Sequence, residues 1–216
     1  MKIFSLLANL LSIGTAIYTV NLNAQPVYSV NAVGYINVAI HHGINLVGLQ
    51  LDPIDHSISA LFPNMPEGTS ISRAGEGGFT TNVYQNGQWS RPEETFAVGD
   101  GAFVINPASE DKVVTFVGEI LQGELTNSIP RGLSIRCSMI PEAGKLSQVL
   151  GLRLAPFDNV YLVSNGVLNV FTYLPDGKWK PSEPDLQVAE SFLVNAAGPL
   201  DWAVYFDLIF GLQQSI

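Results

Sequence analysis

Short runs in which apolar and polar residues alternate dominate this sequence, and that period is typical of β-strands with one buried face. The first run carries apolar side chains at Tyr28, Val30, Ala32, Ile36, Val38 and Ile40. Ile44 to Leu51 is a second, more continuous apolar run, and Ala102 to Asn106 and Val113 to Glu119 are two more. The pattern predicts an all-β fold, mainly antiparallel, in small barrel- or sandwich-like units.

Two segments break the alternation and predict one short helix in each half of the chain. In the first, Asp52 is a residue type that caps helices and Pro53 suits the first helical position. The apolar stripe that follows is Ile54, Ile58, Leu61 and Phe62, and it ends at Pro63. The second segment runs from Pro141 to Gly151 and carries Leu146, Val149 and Leu150.

Tight turns are predicted at two dipeptides. Asn86-Gly87 and Asp176-Gly177 each lie between strand-like runs. Asn-Gly and Asp-Gly adopt positive φ at low cost, which the central residues of a two-residue hairpin turn require. Both sites therefore predict β-hairpins.

An internal repeat organises the whole sequence. Gly34-Tyr35-Ile36 and Gly123-Glu124-Leu125 are 89 positions apart, and the match resumes at the two hairpin dipeptides. Val113 to Glu119 then aligns with Trp202 to Leu208. We interpret the chain as a tandem duplication without a flexible linker, with one β unit over residues 25–116 and its copy over residues 117–210.

The first 24 residues are predicted to be a signal peptide. Lys2 provides a positive start, Ile3 to Val20 is mostly apolar and uncharged, and Ala24 is the small residue favoured at a cleavage site. An uncleaved membrane anchor is the alternative, because about 18 apolar residues nearly span a bilayer. The first interpretation predicts a secreted protein, at the cell surface, outside the cell or in the periplasm, with no membrane span after cleavage.

Composition narrows the class of protein further. The 216 residues are 47% hydrophobic and 13% charged, with a net charge of −9. A disordered chain would have few apolar residues, and a nucleic-acid binder would be basic. Cys137 is the single cysteine, so no disulfide forms within the chain. Cys137 continues the alternate apolar positions of Leu133 and Ile135, which predicts that it is a small buried side chain in a strand.

Several runs resemble a pattern in internally duplicated, secreted, β-rich bacterial proteins of uncharacterised function. They are Gly43–Leu49 (GINLVGL), Asp52-Pro53, Leu61–Pro63, Val98–Val104 (VGDGAFV) and the segment Tyr28–Val38 (YSVNAVGYINV). The glycine, asparagine and aromatic residues in these runs are markers of a fold. The resemblance therefore implies a repeated β architecture and no particular chemistry.

Candidate catalytic chemistry is sparse. His41 and His42 are adjacent in a predicted turn, a poor geometry for one metal ion, and we expect exposed turn residues. A metal pair completed by His56 or Asp52 is the alternative. Because nucleophile elbows, phosphate loops and similar motifs are missing from the sequence, we predict no cofactor and a non-enzyme. If the protein is a secreted hydrolase, these four residues and Asp55 are the first candidates.

Aromatic residues near the hairpins are the other candidates. Trp89 and Trp179 each lie two positions after a hairpin glycine, with Tyr84 and Tyr173 nearby. Such rings could stack on sugars, or each Trp could pack across its own hairpin, which we favour. The sequence thus predicts an exported, non-catalytic β-module with a structural or binding role. Glycans and other surface proteins are its candidate partners, and nucleic acids are not.

Overall fold

The computed structural model describes residues 32–75, 77–208 and 211–213. The predicted signal peptide and the first apolar positions, Tyr28 and Val30, lie outside the described residues. Within the described ranges the fold is all-β with a single four-residue helix, α1, at Ile58–Leu61. No helix among these residues is both long and apolar enough to cross a membrane.

The described strands number seventeen and follow the chain in order. In the first half they are β1 (Val33–Ile40), β2 (Gly43–Gly48), β3 (Ser70–Gly75), β4 (Gly78–Gln85), β5 (Gln88–Trp89), β6 (Gly101–Asn106) and β7 (Lys112–Glu119). In the second half they are β8 (Gly123–Ile129), β9 (Gly132–Arg136), β10 (Gly144–Lys145), β11 (Asn159–Ser164), β12 (Val167–Tyr173), β13 (Trp179–Lys180), β14 (Asp185–Leu186), β15 (Phe192–Ala196), β16 (Leu200–Asp207) and β17 (Gly211–Gln213).

The described strands form five open antiparallel sheets. The first half has a five-stranded sheet in the order β2-β6-β3-β4-β5, and the second half has one in the order β9-β15-β11-β12-β13. A two-stranded ribbon, β1-β7, accompanies the first sheet, and a three-stranded sheet, β8-β16-β17, belongs to the second half. The fifth sheet is the short pair β10-β14. The duplication itself stays a prediction, and these matching strand orders are consistent with it.

Strand register corrects the alignment at the end of the predicted repeat. Ile40 pairs with Lys112 in the first half, and Ile129 pairs with Leu200 in the second. Val114 lies two residues after Lys112, and Trp202 lies two residues after Leu200, so the strand pairing makes these two positions equivalent. Both side chains are buried. The alignment of Val113 with Trp202 is therefore wrong by one residue, because it matches an exposed side chain with a buried one.

Both faces of each five-stranded sheet are covered with apolar side chains. The face of the first sheet that bears Ile71 and Val104 packs on one core, together with Ile36 and Val38 from the predicted first strand. The face of the second sheet that bears Val160 and Val194 packs on a second core. The two remaining faces contribute a third, smaller cluster built on Leu46, Ile135 and Leu193. The molecule is thus layered as core, sheet, shared cluster, sheet and core.

The helix predictions are partly wrong, for reasons of backbone hydrogen bonding. Ser57 caps α1, accepting a hydrogen bond at Oγ from the Ala60 N–H at 3.3 Å. Asp52 does not cap it, because its N–H and carbonyl bond to the backbone of Glu119 and hold it extended. Ile54 is fully exposed and lies outside the apolar stripe.

The second predicted helix is absent from the described residues 141–151. Gly144 and Lys145 pair with strand β14 instead, and the Leu146 N–H bonds to the carbonyl of Pro184. Turns follow, which still bury Leu146 and Leu150. Sheet pairing with a distant segment therefore overrides the helical spacing of the leucines.

The hairpin predictions divide in the same way. Asn86 and Gly87 have φ of 55° and 77° and join β4 to β5 as a two-residue turn, as predicted. At the second site only Gly177 has positive φ, and the Leu174 N–H donates to the Lys178 carbonyl. That connection is a longer turn, so the prediction of a two-residue loop there is wrong.

A close junction joins the two halves beside Cys137. Its side chain is fully buried, as predicted, and its Sγ lies 3.3 Å from the carbonyl oxygens of both Leu49 and Asp100, which share its single S–H proton. Burial raises the pKa of this thiol far above its ordinary value.

The strand predicted around Cys137 is only partly confirmed. Strand β9 ends one residue before Cys137, and Leu133 is exposed, so the predicted alternation holds only at Ile135 and Cys137.

Candidate functional site

Trp89 and Trp179 are buried parts of the cores. They are 3% and 8% exposed, so neither ring offers a face to a sugar. The Trp89 indole N–H donates to the Phe62 carbonyl at 2.9 Å, and that of Trp179 donates to Ser147 Oγ at 3.2 Å. The stacking role in glycan binding is not supported at these positions, because folding has already covered the rings.

The tyrosines explain why both tryptophans turn inward. Tyr84 pairs with Trp89 across the β4-β5 hairpin, and Tyr173 pairs with Trp179 across β12 and β13. The ring centroids are 5.3 and 5.2 Å apart, in edge-to-face geometry. Packing of each Trp across its own hairpin, the favoured interpretation, is confirmed.

His41 and His42 lie in the turn between β1 and β2 and are exposed. His41 Nδ1 donates to the Asp111 carboxylate at 2.8 Å, and His42 Nδ1 donates to the Ala108 carbonyl at 2.8 Å. The expectation of exposed turn residues is confirmed, with each ring tied to the β6-β7 turn.

His56, Asp52 and Asp55 lie at the other end of the β1-β7 ribbon. His56 Nε2 is 3.0 Å from Asp52 Oδ1, and His56 Nδ1 lies 3.1 Å from the Phe96 carbonyl. Asp55 accepts a hydrogen bond from the Ser57 N–H at 2.8 Å, which together with the Ser57 side chain lowers the pKa of this carboxyl.

The structure therefore separates the candidate polar residues into two groups. His41 follows the end of β1 at Ile40, whereas Asp52 bonds to Glu119, which pairs with Val33 at the start of β1. A strand of this length separates the groups by roughly 20 Å. They do not form one hydrolase site, and no metal-binding group of three His, Cys, Asp or Glu occurs in the described ranges.

A cleft between the two five-stranded sheets is the main candidate site. The first sheet lines it with Ile44, Ser72, Phe79, Phe103 and Ile105, and the β11-β12 hairpin lines it with Val163, Gly166 and Leu168. Strand pairing brings these positions to one face, because Ile44 is opposite Ile105 and Val163 is opposite Leu168. We call this space the apolar pocket.

The apolar pocket begins where the shared cluster ends. Phe103 and Val163 pack against that cluster, and the Phe79 ring lies 6.0 Å from the Phe103 ring. Its one polar side chain, Ser72, bonds to Thr81 Oγ1 at 2.8 Å. Phe79 is 49% exposed and Leu168 is 47% exposed, so large apolar groups meet water at the mouth. The volume is about 310 Å³.

A second, more polar pocket adjoins the first. Its volume is about 640 Å³, and it shares Ile44, Val163 and Gly166 with the apolar pocket. The polar side chains that line it are Asn37, His41, His42, Asn45, Asn165, Gln187 and Glu190. We call this space the polar pocket.

Sequence reasoning missed the cleft, although two signals pointed to it. Residues 102–105, in strand β6, are apolar without a break. Such a run is typical of a strand covered on both faces, and here Val104 faces the first core while Phe103 faces the other sheet. The Asn165-Gly166 turn beside the pocket, with φ of 53° and 72°, was a further hairpin signal of the same type as Asn86-Gly87.

The structure thus contains a cleft with an apolar part and a polar part, formed by residues of both halves. His41, His42 and Glu190 line its polar part, whereas Asp52 bonds to Glu119 at the other end of the β1-β7 ribbon. Comparison with known proteins adds no further assignment, because no protein-family model, no curated protein and no solved structure matches the chain.

Proposed function

We propose that the chain is an exported, non-catalytic β-module that binds a small apolar ligand in the cleft between its two five-stranded sheets. The observation that carries the proposal is the apolar pocket, whose walls are aliphatic and aromatic side chains apart from Ser72. Export is supported by the signal-peptide pattern of residues 1–24. The protein would therefore meet its ligand in the extracellular space, at the cell surface or in the periplasm.

The pocket has the size that small-molecule sites require. Ligand pockets generally have volumes of about 300 to 1,000 Å³. A dry apolar cavity of about 150 Å³ holds benzene, so a pocket of about 310 Å³ suits a two-ring arene or an alkyl chain of similar bulk. Covering Phe79 and Leu168 would remove apolar surface from water, which supplies the driving force.

Titration with naphthalene tests the proposal, with its fluorescence and the amide NMR shifts of the protein as readouts. We expect saturable 1:1 binding and shifts at Gly166, Ile44 and their neighbours. Phe79→Ser should weaken binding about tenfold, because it removes a ring that would contact the ligand.

Tyr35→Ser is the matched control for this experiment. Tyr35 is an exposed aromatic residue on the outer face of the β1-β7 ribbon and does not line the cleft. We expect this variant to bind naphthalene as the wild type does. Non-saturable binding, or equal weakening by both substitutions, would show that the apolar pocket is not a ligand site.

A further inference from the structure

We infer that the ligand of the cleft is a cationic amphiphile, with its apolar body in the apolar pocket and an ammonium head in the polar pocket beside Glu190. This inference rests on the proposed function and adds the chemical class of the ligand. Its starting point is the continuity of the two pockets, which share Ile44, Val163 and Gly166. A molecule that fills the first pocket has its nearest extension into the second.

The charges that line the polar pocket favour a cationic head over an anionic one. Nδ1 of His41 donates to Asp111 and Nδ1 of His42 donates to Ala108, so both Nδ1 atoms are already used within the protein. Glu190 supplies a carboxylate, and none of the described residues that line the pocket is a lysine or an arginine. A head group that donates hydrogen bonds suits these walls, and a carboxylate or phosphate head would meet repulsion.

The carboxylate of Glu190 is the reason we expect a positive charge on the head group. This half-buried side chain accepts a hydrogen bond from the Gln187 N–H at 2.9 Å. No described lysine, arginine or histidine forms an ion pair with it. Burial raises its pKa, the hydrogen bond from the Gln187 N–H opposes this rise, and the charge of Asp185 adds to it. A cation beside the carboxylate would offset the cost of burying its charge. An ammonium group would supply the missing partner through a charge-assisted hydrogen bond.

Two of the three asparagine side chains that line the polar pocket already bond within the fold. The Asn45 amide bonds to the carbonyls of His41, Gly43 and Val104, and Asn37 accepts from the Thr115 hydroxyl. These two groups shape the pocket and are less available to a ligand. Recognition of the charge of the head group therefore falls to Glu190.

Three probes that share one apolar body separate this inference from the proposed function. They are naphthalene, naphthalene with an aminoalkyl arm, and naphthalene with a carboxyalkyl arm, with arms of graded length. At neutral pH we expect the best ammonium probe to bind about tenfold more tightly than naphthalene, the gain of one charge-assisted hydrogen bond. The carboxylate probe should bind more weakly than naphthalene.

Glu190→Gln tests the assignment of the head group, with the ratio of the naphthalene Kd to the ammonium-probe Kd as the readout. We expect the ratio to fall from about ten to about one. Glu124→Gln is the control, because it removes the same charge from an exposed position on β8, outside both pockets. It should leave the ratio unchanged.

The outcomes distinguish the two proposals. If none of the three probes binds, the proposed function fails. If naphthalene binds but the ammonium arm adds nothing, or if Glu190→Gln keeps the advantage of that arm, the cationic head is wrong while the apolar site stands. A carboxylate probe that binds more tightly than the ammonium probe would also overturn the inference.

Discussion

Substitution of Gly48 by alanine tests how closely the two halves are packed. Gly48 ends strand β2, and an added Cβ would overlap the Cys137 Cβ and lie 2.6 Å from the Cys137 Sγ. The strand cannot easily move away, because the Gly48 N–H donates to the Ala189 carbonyl at 2.8 Å. We therefore expect Gly48→Ala to destabilise the protein by overpacking.

The size of the effect follows from the contacts. Overpacking a core by one methyl group costs about 1 to 3 kcal/mol. We expect a cost at the upper end of this range, because the Cys137 Cβ that the new methyl group overlaps is bonded directly to the main chain. For a domain of about 190 residues, 1 kcal/mol lowers Tm by about 2 to 4 °C. We expect Gly48→Ala to lower Tm by about 6 to 12 °C, measured by thermal unfolding followed by circular dichroism.

Gly198→Ala is the control, because an added Cβ there meets no atom within 4 Å. Its Tm should stay close to that of the wild type. The double variant with Gly48→Ala and Cys137→Gly should lose less stability than the sum of the two single variants. Cys137→Gly removes the side-chain atoms that the new Cβ at position 48 would overlap. If Gly48→Ala unfolds at the same temperature as Gly198→Ala, the junction is looser than we describe.

Three other results are expected. Trp89→Ala should cost about 3 to 5 kcal/mol in urea unfolding, and a loss below 1 kcal/mol would contradict its place in the core. Glu190→Gln should raise Tm at pH 7, because burial opposes the charge, and the gain should vanish as pH falls below the ordinary Glu pKa of 4.5. An unchanged gain at low pH would refute this cause. Ser57→Ala should cost about 1 kcal/mol by loss of the α1 cap, and a neutral result would remove Ser57 from that role.

Local pattern was enough to predict much of the strand content. The first and last strands of the first half, β1 and β7, lie where alternation placed them, since each has one face on a core and one face in water. The Asn86-Gly87 turn also followed from residue type alone, because both positions need positive φ. These features depend on residues close together in the chain.

Three of the failures involve partners far away in the sequence. Asp52 has the chemistry of a helix cap, but its backbone bonds to Glu119. Leu146 has helical spacing, but its N–H bonds to Pro184. The cleft needs Phe79 and Leu168, from different halves, to line the same space. No short-range pattern specifies such meetings.

Sheets with two apolar faces have a consequence for how the protein must fold. Each five-stranded sheet turns one face to its own core and the other to the cluster around Leu46, Ile135 and Leu193. Either half alone would leave that second face in water, where it would act as a site for aggregation. Each half therefore covers the apolar face of the other. A chain cut between the halves should yield two fragments that aggregate, and not two separately folded domains.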